Sequence, residues 1–251
     1  MSTLATTPIG LPRLIRGHLG ALRAHRAGQL ALLLPALLGT AALVAALANI
    51  SVIDAEVQRA AVSVYLGLLA LLAPIAGAVL AVDPWARRGV AVVLGVSSDR
   101  GRWLGAQALA GLLAGVLGLG LATALGGITT AVFAAADGQG VARLDVPLLE
   151  GFAGMLLSFA FGFVLGAATR GLLSTLLIAL ALPLLLGAVR GVFTASPLLA
   201  DIVSWLNVNA AFDRLFTAGP LPLWQAIVIS VLAIGGPLAI AVGRTATADL
   251  R

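Results

Sequence analysis

Apolar positions along this chain come in long unbroken blocks, and charged side chains fall almost entirely between them. Blocks of about 20 residues match the helix length that crosses roughly 30 Å of hydrocarbon. The pattern predicts six membrane-spanning helices, near residues 29–50, 60–82, 103–133, 146–169, 172–192 and 222–243. The third block is too long for a perpendicular crossing and predicts a tilted helix or one that continues past the bilayer. Ahead of the first span, residues 11–27 put Leu11, Leu14, Ile15, Leu19 and Leu22 on one helical face, with Arg13, Arg16 and Arg23 largely outside it. That pattern is expected of a helix lying in the membrane interface. Residues 193–221 mix Trp205, Phe212 and Phe216 with Asp201, Asp213 and Arg214, and read as short outer interfacial helices. No stretch between blocks is long enough to fold as a soluble domain, so residues 1–251 are expected to form one all-α membrane domain.

Composition supports the membrane reading: 61% of residues are hydrophobic and 10% charged, where an ordinary soluble domain has roughly 25% charged. Met1–Gly10 lacks the apolar core and cleavage site of a signal peptide and reads as a retained start. All fifteen basic side chains are arginine, a bias typical of a GC-rich bacterial genome. The net charge of +5 is dispersed between apolar blocks rather than clustered with aromatics, which speaks against a nucleic-acid partner. With both termini inside, the inner segments hold Arg13, Arg16, Arg23, Arg26, Arg87, Arg88, Arg100, Arg102, Arg170, Arg244 and Arg251. The outer segments then hold only Arg59, Arg143, Arg190 and Arg214, so the positive-inside rule places both ends in the cytoplasm and the chain in the plasma membrane.

Side chains that carry chemistry are sparse. There is no cysteine, and His18 and His25 both belong to the N-terminal segment, so no thiolate, histidine-ligated metal or nucleophile–histidine dyad is expected within the spans. Glu150 and Arg190 fall near the outer edges of their blocks. Without buried ionisable groups, ion-coupled transport and intramembrane catalysis lose their usual machinery, and the chain is not expected to be an enzyme. The blocks instead carry small residues at four-residue spacing, Gly111 and Gly115, then Ser158, Gly162 and Gly166, which let helix backbones approach closely. Pro35, Pro74, Pro183 and Pro237 each remove a backbone donor from a span.

The most informative stretch is the predicted inner loop, residues 83–102. Asp83 as N-cap with Pro84 at the first helical position predicts a new helix there, Gly95 a stop, and Ser98 the cap of the next helix. Trp85, Arg87 and Arg88 on such a helix suit docking into a groove of a cytoplasmic protein, or an interfacial position against headgroups.

Here the sequence resembles the six-span permeases of ABC exporters, the type-2 permease family. Asp83, Arg88-Gly89-Val90, Leu94 and Ser98-Asp99-Arg100 correspond in outline to that family's loop motif. Val96 and Ser97 stand where a proline is usual, and Ala106 near a frequent lysine. The order of interfacial helix, spans and amphipathic stretch extends the resemblance over nearly the whole chain. It implies that residues 83–102 form a coupling helix docked on a separate nucleotide-binding ATPase subunit, with Asp83, Trp85, Arg87, Arg88, Leu94, Ser98 and Arg100 at the contact. The chain has no phosphate-binding loop, so ATP and Mg are expected in that partner and no cofactor here. A second permease, identical or paralogous, is expected to complete the pathway for an amphiphilic or hydrophobic substrate. A secondary transporter and a non-transporting membrane anchor are the alternatives.

Overall fold

The computed structural model describes residues 10–86, 100–181, 184–185, 197–217 and 220–247, without the side chains of residues 145–147 and 197–200. Its elements are α1 (Leu11–Ala24), α2 (Arg26–Leu47), α3 (Ala55–Ala86), α4 (Arg100–Ala136) and α5 (Asp145–Thr169). They continue as α6 (Leu172–Leu176), which runs into a π-helical turn at Leu177–Ala181, then α7 (Pro197–Leu206), α8 (Val208–Arg214) and α9 (Leu223–Ala246). No strand occurs among the described residues.

Five helices are long and apolar enough to cross a membrane: α2, α3, α4, α5 and α9. Of the block expected to be the fifth span, the described helix covers ten residues, Leu172–Ala181, and most of the remainder lies outside the described residues. At about 1.5 Å per residue, the 37 residues of α4 run well beyond a bilayer's hydrocarbon. Its first turns project far enough to carry α1, where His18 meets the Trp103 ring edge-on at 5.4 Å. Leu14, Ile15, Leu19 and Leu22 of α1 are half-buried and Arg13, Arg16 and Arg23 exposed, so the amphipathic face is used against protein. Histidine 25 is not helical (φ −105°, ψ 120°); it is the single residue that turns the chain from α1 into α2.

Helix α3 is the axis of the bundle: 56% of its most apolar window is buried, against 22% for α2 and α9, most of whose leucines and valines face outward. It can approach α5 closely because glycines stand at the crossing. A Cβ on Gly162 would overlap the Pro74 carbonyl, one on Gly77 the Phe159 carbonyl, and one on Gly166 would press within 3.0 Å of the Ala78 oxygen. On the other side of α5, Gly111 and Gly115 of α4 receive the Phe163 and Phe159 rings, and Ser158 is buried. Tyr65, 2% exposed, slots between Gly39 of α2 and Gly126 of α4 and donates its hydroxyl to the Ala122 carbonyl at 2.5 Å.

The loops 48–54 and 137–144 share one end of the bundle. Fully buried Gln58 donates to the Ile53 carbonyl at 3.1 Å and the Gly140 carbonyl at 2.9 Å, and accepts from Ala142 N at 2.8 Å. Asp137 accepts from Ile53 N at 2.8 Å, and Asp54 caps α3 by accepting from the amides of Glu56 and Val57.

Two sequence expectations are corrected. Asp83 does not start a helix: α3 continues unbroken through Pro84 to Ala86. A proline so near a helix end forfeits only the bond to Leu80, and Gln107 braces the same turn by donating to the Ala81 carbonyl at 3.0 Å. In the segment before the last span, α7 stays beside the first turn of α9, where Trp205 meets Trp224 at 5.7 Å, but α8 packs inward. Phe212 of α8 meets Phe161 of α5 at 6.1 Å and packs with Leu165, Ala179 and Ile234, far along both neighbouring spans. Arg214 folds back onto its own backbone, donating to the carbonyls of Leu221 at 2.7 Å and Thr217 at 3.0 Å, which frees the apolar face of α8 to pack inward.

Replacing Gly162 by leucine is expected to destabilise the protein by at least about 2 kcal/mol through overpacking of the α3–α5 crossing. Gly236→Ala, where a Cβ meets open space, should leave stability unchanged or slightly higher. Unfolding in mixed micelles titrated with SDS, followed by circular dichroism, compares them.

Candidate functional site: the arginine-rich end

Helix α5 ends at Arg170, whose amide closes the last turn onto the Gly166 carbonyl at 2.8 Å and whose backbone is left-handed (φ 56°, ψ 17°). It is the one non-glycine residue with positive φ among the described residues. This conformation costs a side-chain-bearing residue about 1 kcal/mol, and the side chain supplies the compensation. The guanidinium carbon lies 3.8 Å from the centre of the Trp85 ring, a cation–π contact, and Nη2 donates to Thr245 Oγ1 at 3.2 Å.

Around this residue two helix ends are capped crosswise. Arg244, in the last turn of α9, donates to the Ala168 carbonyl at the end of α5 at 2.5 Å. Arg100, which opens α4, donates to the Thr245 and Ala246 carbonyls at the end of α9, at 3.3 and 3.1 Å. Carbonyls at a helix C-terminus lack intrahelical donors and carry the negative end of the helix dipole, so each cation sits where charge and hydrogen bonding both favour it. Burial, and after it the positive charge of Arg244, pull Arg170 below the usual guanidinium pKa. Arg170 Nε and Trp85 Nε1 are buried without a partner among the described residues.

Aromatic contacts extend the cluster. Trp85 meets Trp103 edge-on at 5.6 Å, and Trp103, 2% exposed, also carries His18. The middle of α1, at His18, and the ends of α3, α4, α5 and α9 are thus linked through named side chains. The segment 87–99 leaves this cluster at Trp85 and returns to it at Arg100 and Trp103.

Of the residues assigned to coupling by sequence, Asp83 is half-buried and engaged, and Trp85 and Arg100 belong to the cluster. Arg87, Arg88, Leu94 and Ser98 lie outside the described residues. Trp85 is half-buried between Trp103 and Arg170 rather than projecting as a free anchor. Gly111, Gly115, Ser158, Gly162 and Gly166 stand in the α3–α4–α5 contacts described above. Sequence reading had no part for Trp103, Arg170, Arg244 or Thr245 as a group. The available signal was Arg170-Gly171, a cation with a glycine as the whole link between two apolar blocks. No group of three His, Cys, Asp or Glu side chains that could hold a metal occurs among the described residues. The chemistry on offer is positive charge and mechanical linkage. No family model matches the chain, and a search of curated proteins finds no match.

Burial holds the His18 imidazole below its ordinary pKa of 6.5. The folded state therefore favours neutral His18, so its contribution is complete above pH 6.5 and declines as pH falls below that value. Acidification from pH 7.5 to 5 is expected to loosen α1 from α4, read as quenching of Trp103 fluorescence and earlier thermal unfolding. His18→Phe should abolish this part of the pH dependence.

Proposed function

We propose that this chain is the membrane-spanning permease subunit of an ABC exporter, with residues 172–192 as the fifth of six spans and the segment 87–99 docked on a separate ATPase. The arginine-rich end is cytoplasmic in this reading, following the positive-inside rule. The observation that carries it is the fastening of both flanks of segment 87–99, Trp85 on one side and Arg100 with Trp103 on the other, into a cluster that touches five helices. A displacement of that segment by a closing partner would reach α1, α3, α4, α5 and α9 together, which a loop tethered to one helix cannot do. Arg87, Arg88, Leu94 and Ser98 supply the contact, the ATPase binds ATP and Mg, and a second permease copy or paralogue completes the pathway. The substrate is amphiphilic or hydrophobic and moves by alternating access.

Orientation is tested on the natural cysteine-free background. Arg102→Cys should resist, and Asp137→Cys accept, a membrane-impermeant maleimide applied to intact cells; the reverse overturns the topology. The energy source is tested in proteoliposomes containing the cognate ATPase. Transport should survive collapse of proton and sodium gradients, stop with a hydrolysis-deficient ATPase, and fall at least about tenfold in Arg87→Ala/Arg88→Ala. Gradient-driven movement by this chain alone would make it a secondary transporter, and absence of both activities an anchor.

A further inference from the structure

A cavity of about 130 Å³ lies between α3, the π-helical turn after α6, and the α7–α8 junction, lined by Ala70, Leu71, Pro74, Ala179, Leu184 and the pair Asn207 and Asn209, among others. Ala70 is the midpoint of α3, fifteen residues from Ala55 and sixteen from Ala86, so about 22–24 Å of helix separates it from either end. The two carboxamides are half-buried beside this midpoint, and polar groups so placed favour a neighbour that meets their hydrogen-bonding capacity. Asn207 uses its Oδ1 to cap α8, accepting from Ala210 N at 3.1 Å, which leaves its NH₂. Asn209 has no hydrogen-bond partner among the described residues. Backbone adds a further acceptor. Pro74 has no N–H, so the Ala70 carbonyl four residues earlier lacks its ordinary helical donor. The facing wall is the Leu177–Ala181 π-turn, a class of distortion frequent at functional positions.

We propose that this cavity is a binding site for the uncharged amide head of an amphiphile. An amide N–H serves the Ala70 carbonyl or an asparagine oxygen, and the amide oxygen accepts from an asparagine NH₂, so the ligand's donor and acceptor are both used. Among the described residues no charged side chain lines the cavity, which disfavours an ammonium or carboxylate head. Size sets the head's dimensions: an engineered apolar cavity of about 150 Å³ takes up one benzene, so 130 Å³ holds a group of that order and not a whole drug-sized molecule. Leu71 and Leu184 on the cavity wall are 41% and 62% exposed, and the tail leaves between them towards the bilayer. The site does not depend on how the chain is energised.

The test uses the full chain in lipid nanodiscs, without any ATPase. A diazirine-bearing N-octylacetamide is compared with the octyl acetate and octylammonium probes carrying the same diazirine, and labelled residues are mapped by mass spectrometry. The amide should label α3, the π-turn and α7–α8, and unlabelled N-octylacetamide should compete for that labelling. The ester, which cannot donate, should bind about tenfold more weakly, the loss of one hydrogen bond. Asn209→Leu should weaken the amide about tenfold and bring it level with the ester, while Leu71→Trp should block both. The comparison of amide with ester on the wild-type chain needs no variant. Equal labelling by amide and ester, preference for the ammonium, or labelling spread evenly over the lipid-facing surface would overturn the proposal.

Discussion

A backbone carbonyl without a donor is among the costliest groups a chain can hold in hydrocarbon, where no water stands ready to replace it. Much of the side-chain chemistry of this bundle is directed at that constraint. Arg100 and Arg244 are spent on the carbonyls that end α9 and α5. Gln107 supports the turn where Pro84 withdraws a donor, and Tyr65 reaches across from α3 to a carbonyl of α4. Gln58 performs the same service for two loops at the opposite end. The polar residues of this apolar protein are few because their targets are few, and the arginines double as the charge asymmetry that orients a membrane protein.

Packing follows a second rule, that of small against large. Lipid tails are as apolar as leucine, so burying leucine between spans gains little, and close backbone approach with good van der Waals contact must hold the helices together. The α3–α5 crossing achieves this with Gly77 and Gly162 at backbone contact, and α4 adds Gly111 and Gly115 beneath two phenylalanine rings. Many other large apolar side chains face outward, as on α2, where Leu30, Leu33, Leu34, Leu37 and Leu38 are all exposed.

These two rules explain what the sequence discloses. Apolar blocks are legible because lipid demands them, and the five long helices fall within a few residues of their predicted bounds; α2 begins at Arg26 rather than near Gln29, and α4 at Arg100 rather than Trp103. Four-residue glycine spacing is legible because helical periodicity is local. The cluster at the arginine-rich end is not, since Arg170 and Thr245 stand 75 residues apart and nothing local marks them as partners. The depth of α8 was hidden for a related reason. Asp213 and Arg214 among aromatics read as part of an interfacial segment, and only the fold shows Arg214 turned back to its own chain. Pro84 misled because the same dipeptide suits a helix start and a tolerated last turn, and Gln107, which decides between them, lies 26 residues from its acceptor.

The crosswise capping of α5 and α9 also bears on how the protein is made. Arg244 follows Ala168 by 76 residues, so at about 5–20 residues per second of synthesis the end of α5 waits roughly 4 to 15 seconds for its donor. Through that interval the nascent chain holds an inserted helix whose terminal carbonyls must rely on water or headgroups at the membrane surface. The later span α9 is therefore the one that locks the earlier span α5 in place, and its arrival closes a clasp as well as adding a helix.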